Sequence, residues 1–186
     1  MPRQVFRFDP PERFVTGTVG EPGERVFFLQ ARGGGRVVSV ALEKEQVAVL
    51  AERMGALLDE VVRRSGGEAS VPALSPSDQE DLEPLDQPIE EEFRVGTLTL
   101  AWEAADELVV VEAFEVVDEE LPDDLAAADD PRDVLIVRLP GPMARGFVKR
   151  ATAVVSAGRP PCPLCGQPLD PAGHVCPRQN GHRRRG

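Results

Sequence analysis

All three cysteines and both histidines of this 186-residue chain fall within its last 25 residues. They stand as Cys162-Pro163-Leu164-Cys165-Gly166, then His174-Val175-Cys176-Pro177, then His182. A Cys-x-x-Cys turn aims two thiolates at one ion, and the glycine behind it relieves the strain of the turn. Ten residues separate Cys176 from that pair, which leaves room for a small hairpin. The spacing therefore predicts a zinc site made by Cys162, Cys165 and Cys176 with a histidine as fourth ligand. If 174–176 is extended, residues two apart share one side, and Pro177 biases Cys176 toward extended backbone. His174 is the expected ligand, and His182, in the arginine-rich end, is the alternative. A full zinc ribbon would carry a second Cys-x-x-Cys. Here Gln179 occupies the partner position, so the knuckle is ribbon-like and has to recruit a histidine.

Rival chemistries fit these residues less well. A zinc deaminase needs His-x-Glu upstream, and no histidine precedes His174. A thioredoxin-like exchange places its Cys-x-x-Cys at a strand-to-helix junction, whereas this one lies between Pro160-Pro161 and Gly166. The same prolines and glycine argue against a cysteine-histidine nucleophile. Gly33-Gly34-Gly35 has no Lys-Ser/Thr behind it and sits between two strand-like runs, which makes it a hairpin turn and not a phosphate loop. The acidic runs Glu90-Glu91-Glu92 and Asp118-Glu119-Glu120 single out no catalytic pair and read as solvated faces. Trp102 is expected to pack in the core or at a strand edge.

The elements that would carry this tail are legible in the hydrophobic periods. Short alternating or valine-rich runs over Arg3–Phe8, Phe14–Val19, Arg25–Ala31 and Arg36–Leu42 predict strands. From Glu43 the period becomes helical, with Val47, Leu50, Met54, Leu57, Leu58 and Val61 on one stripe and Gly66-Gly67 as the stop. A proline-rich, acidic stretch over 67–89 reads as an exposed linker. Strands follow at Phe93–Leu98, Glu107–Ala113 and Asp133–Leu139, and then a helix opens at Gly141-Pro142 with Met143, Phe147, Ala151, Val154 and Val155 on its stripe. Phe14-Val15-Thr16-Gly17-Thr18 and Phe93-Arg94-Val95-Gly96-Thr97 share a Phe-x-x-Gly-Thr start.

The fold class expected is thus α+β: duplicated βββα units, halves about 12–66 and 90–157, forming a mainly antiparallel sheet of about six strands with two helices. Residues 1–157 make the body and 158–186 the zinc-binding tail. Val109–Val111 and Val134–Val137 are continuously apolar, so the second face of the sheet should be covered by curvature, by the linker or by another subunit.

Charge divides the chain the same way. The net charge is −11, yet from Gly158 onward five arginines face Asp170 alone, which gives the tail +4 and the body −15. So acidic a body makes a poor nucleic-acid surface. No apolar run is long enough to span a bilayer, and the start of the chain has no signal-peptide core, so a cytoplasmic location is expected, where clustered thiols hold metal and do not pair.

The Phe-x-x-Gly-Thr start, the run Gly-Pro-Met-x-Arg-x-Phe at 141–147, and the ending from Gly158 to Gly181 resemble an actinobacterial family, domain of unknown function 3090, over essentially the whole chain. The resemblance implies a cytoplasmic bacterial protein and attaches no activity to it. The reading reached is a zinc-binding, non-catalytic module with an unidentified protein partner, a second copy of the chain being one candidate. The alternatives are an enzyme or small-ligand domain with a pocket between the two repeats, and nucleic-acid contact by the arginine tail.

Overall fold

The computed structural model describes residues 2–118, 130–158, 161–167, 169, 174, 176 and 178. The first half forms β1 (Val5–Phe8), β2 (Arg13–Val19), β3 (Val26–Gly33), β4 (Arg36–Leu42) and α1 (Lys44–Ser65). The second forms β5 (Glu91–Glu103), β6 (Leu108–Glu115), β7 (Val134–Pro140) and α2 (Gly141–Ser156). Three strands and a helix thus follow one another twice, although β5 has 13 residues against 7 in β2 and β1 has no counterpart. The glycine run makes the β3–β4 turn, with Gly33 opposite Arg36 and left-handed φ of +60° and +75° at Gly34 and Gly35.

The seven strands among the described residues lie in one sheet, ordered β1-β7-β6-β5-β4-β3-β2. Neighbours are antiparallel except for β1/β7 and β4/β5. The architecture is α+β, with one strand more than the six expected. β1 and β2 stand at opposite ends of this order, yet residues 9–12 alone connect them. Five Cα steps reach at most about 18 Å, while six strand spacings in a flat sheet come to about 29 Å. The sheet must therefore curl. Its edges approach where Phe8 of β1 meets Gly33 of β3, Arg36 stacks 4.9 Å over the Phe8 ring, and Arg36 Nη2 donates to the Arg7 carbonyl at 2.8 Å.

The concave face holds the main core. Phe14, Leu29, Val40, Val95, Val111, Val137 and Leu139 point into it together with the buried stripes of both helices. Phe147 of α2 stacks on Phe14 at 4.7 Å between ring centres. Val47, Leu50, Met54, Leu58 and Val61 are the buried residues of α1's expected stripe, Leu57 is half-buried, and Trp102 packs partly buried at the margin of the core. At the start of α1 the Glu43 N–H donates to Gln46 Oε1 at 2.8 Å, and Gly66 in left-handed conformation ends the helix.

The stretch after α1 departs from the exposed linker expected of it. It is a strap, pinned first to α2 and then round the β2 edge to the convex face. Val71 is buried in the main core, and Leu85 joins Val15, Phe28 and Ala41 in a small cluster on the other face. Gly17 is what admits Leu85, since a Cβ there would lie 2.7 Å from Leu85 Cγ. Proline and acid content suggested solvent exposure, but the acids are the strap's anchors. Asp81 and Asp86 both bind the buried Arg13, at 2.6 and 3.0 Å.

Candidate metal centre

The tail turns sharply at its first cysteine pair. The Gly166 N–H donates to the Cys162 carbonyl at 2.8 Å, the Cys162 N–H donates to the Gln167 carbonyl at 2.7 Å, and Gly166 takes φ +74°. This is the backbone geometry that a Cys-x-x-Cys-Gly sequence favours, and it leaves both sulfurs on the inner side of the turn. Arg178 Nη1 braces the turn by donating to the Leu164 carbonyl at 3.1 Å.

Cys162, Cys165, His174 and Cys176 are brought together, with one ligand atom from each lying within 4.8 Å of all the others. Cys162 and Cys176 are buried, with sulfurs 3.9 Å apart, and His174 Nε2 lies 3.2 Å from the Cys165 sulfur. Metal–sulfur bonds of about 2.3 Å in a tetrahedron would set sulfurs about 3.8 Å apart, so these four groups fit one tetrahedral ion. Binding through Nε2 leaves Nδ1 of His174 to carry the ring proton. His182 lies outside the described residues.

The electrostatics of the first pair suit an anionic ligand set. The backbone N–H of Leu164, and then that of Cys165, point at the Cys162 sulfur and pull its thiol down to about 6. At Cys165 a Gln167 N–H contact pulls the same way, but burial and the neighbouring Cys162 and Cys176 thiols outweigh it, and the pKa is raised. One thiolate forms readily; a second beside it calls for a cation.

The ending that supplies these candidate ligands is part of a wider pattern. A family model described as "protein of unknown function (DUF3090)" matches residues 6–176. The chain belongs to this family. No curated protein and no solved structure matches it.

The other motifs noted in this DUF3090 chain have structural work of their own. A Cβ on Gly141 would lie 2.8 Å from the Ser70 carbonyl oxygen, and one on Gly146 would lie 2.4 Å from that of Gln79. Arg145 Nε donates to the Pro72 carbonyl at 2.9 Å, and its guanidinium pairs with Asp59. Gly-Pro-Met-x-Arg-x-Phe is thus the seat of the strap on α2. Of the two Phe-x-x-Gly-Thr glycines, Gly17 admits Leu85 and Gly96 admits the backbone of Val116.

Two features of the body escaped sequence reasoning. One is the polar cluster around Arg13, whose guanidinium bonds to both Asp81 oxygens, to Asp86 and to the carbonyls of Glu83 and Pro84. These contacts, led by the hydrogen bond from Arg13, hold the Asp81 carboxyl below its ordinary range. The other is the lining of a groove of about 780 Å³ between α1 and β5, hence between the two halves of the chain, where one alternative reading had set a pocket without naming its residues. Val49, Leu57, Leu98 and Leu100 give it an apolar lining, with Gln46, Arg53 and Glu60 among its polar groups. Its one sequence signal was Val49, an apolar residue off the buried stripe and 46% exposed. No cysteine, histidine or serine lines this groove.

Proposed function

We propose that this chain is a zinc-binding, non-catalytic module of the cytoplasm that acts through a protein partner. The observation that carries the reading is the Cys162, Cys165, His174, Cys176 cluster. Three sulfurs and one imidazole nitrogen satisfy a tetrahedral ion completely and leave no position for water or substrate, which is the character of a structural site. A d¹⁰ ion of borderline softness suits that ligand set and that geometry. The order strand-strand-strand-helix, twice over, supports reading the body as a duplicated unit to which residues from about 158 add a metal-organised tail.

One carboxylate of the groove favours the non-catalytic half of the reading. A general acid working near neutral pH needs a raised carboxyl pKa. Glu60, in the groove, is instead held low by hydrogen bonds from Arg63 and then Arg64.

Elemental analysis of protein purified without chelator tests the metal: one zinc per chain is expected, with Cys165→Ser protein losing it. A preparation that holds neither zinc nor iron sinks the reading. Mass spectrometry of the same preparation from native lysate tests the partner, and a protein in fixed stoichiometry is the expected result.

A further inference from the structure

β5 is left half-paired. β6 runs beside it as far as Glu103, whereas β4 meets it only opposite Glu91 and Arg94. Among the described residues no strand continues the ladder on that second edge from Gly96 to Glu103. A side chain takes over where β4 leaves: Gln46 Nε2 of α1 donates to the carbonyls of Val95 and Gly96, at 3.2 and 3.3 Å. Beyond those two, every second residue of a strand turns its N–H and C=O toward the open edge. Such an edge is a template for another strand.

From Gly96 to Leu100 this edge is not open on every side. It forms one side of the groove described above, whose other wall is α1 from Glu45 to Glu60. Leu98 and Leu100 are half-buried there, and Val49 faces them from the helix. A strand edge opposite a helix, with apolar lining between, holds an extended peptide in two ways. Backbone pairing gives affinity, and pockets for alternate side chains give selectivity.

Charge indicates the occupant. The chain has 32 acidic against 21 basic residues, and nine of the body's arginines stand in ion pairs. Arg53 lines the groove with Glu45 and Glu60; Arg63 and Arg64 pair with Glu60, whereas Arg53 has no ion pair among the described residues. An incoming carboxylate would complete it. A second copy of this chain fits less well. Its own β5 would bring β6 along on the far side, where α1 already stands.

We propose that the groove between α1 and β5 binds an extended segment of a partner protein, added as a strand along Gly96–Glu103, with apolar side chains at alternate positions and a carboxylate that reaches Arg53. The proposal rests on the partner reading above and gives that partner a surface and a chemistry.

A phage-displayed library of random decapeptides, panned against the full chain, supplies the probe. Enriched peptides should alternate apolar residues and carry an acid. Bound, they should slow amide exchange in β5 beyond Gly96. Two controls follow. Methylating alternate backbone nitrogens of the peptide should abolish binding, and Arg53→Glu, an exposed change, should weaken it by about tenfold or more. The proposal is overturned if no peptide is enriched, if protection appears elsewhere, or if both controls bind as well as the originals. It is equally overturned if sedimentation shows the chain pairing with itself through β5. The two readings fail separately. A protein that co-purifies equally with wild type and Arg53→Glu overturns the groove and keeps the partner. Turnover of a small substrate sinks the non-catalytic reading without touching the exchange result.

Discussion

The body and the tail of this chain are held together by different means. In the body, more than two dozen buried apolar side chains form a continuous core across seven strands and two helices. In the tail, the described order is one tight turn plus four ligand atoms from residues 162–176. An apolar core distributes stability over many contacts, each worth a few kcal/mol at most. A metal site concentrates it in a few bonds, and the binding free energy becomes folding free energy. The body should therefore degrade by degrees under substitution, and the tail should be all or none.

The largest effect expected is at the tail. Cys165→Ser, or a strong chelator, should take the metal content from one per chain to near zero. Amide protection in 161–167 should vanish, while the body's circular dichroism and thermal transition stay where they were. If the body melts together with the tail, the contrast is wrong and the site is part of the core.

Next comes the centre of the body. Phe147 is 2% exposed and stacked on Phe14. Phe147→Ala should lower the unfolding free energy by about 3–5 kcal/mol, measured by urea titration. Metal stoichiometry of the folded fraction should not change. Loss of metal with the core intact would join what the comparison keeps apart.

How far each region could be read from sequence follows from the same contrast. The Cys162, Cys165, His174, Cys176 cluster was legible because coordination would impose local spacing: two cysteines three apart, a glycine, then a histidine two before a cysteine. The helix stripes were legible because their period is local too. The strap was not. Leu74 and Leu82 are as apolar as Leu85, yet they are 81% and 90% exposed, and nothing in the stretch itself says which leucine will find Gly17. Its anchor Arg13 lies 68 residues before Asp81. β1 likewise pairs with β7, 129 residues away, and the half-open edge of β5 depends on where β4 happens to stop.

The strap supplies a smaller prediction. Arg13→Met keeps much of the side chain's bulk but takes one guanidinium from Asp81, which keeps Arg150, and from Asp86, which keeps Arg32, and leaves two strap carbonyls without their donor. Losing these hydrogen bonds, with Arg150 and Arg32 still in place, costs about 1–3 kcal/mol. Limited proteolysis should then cut within 72–88 before the rest of the body. If cleavage there is no faster than in wild type, Leu85 and the α2 contacts hold the strap without Arg13.

The smallest effect is one of pH. Asp81 has a depressed carboxyl pKa in the folded protein because Arg13, first by hydrogen bond and then by charge, favours its ionised form. In the unfolded chain it returns to an ordinary value of about 3.9. A group depressed in this way contributes stability that is fully present above the unfolded value and is lost as pH falls through the folded one. Arg13 stays charged throughout that window, since its own pKa is pushed further above the range where it could titrate. Wild type should therefore lose stability progressively from about pH 4 downward. Asp81→Asn should start lower at neutral pH and fall less steeply, so that the two curves converge in acid. Parallel curves would mean that Asp81 ionises no more readily in the folded protein than in the unfolded one. The Asp81 salt bridges would then contribute nothing to acid stability, and the strap would be held by the packing of Leu85 and Val71 and by its other ion pairs.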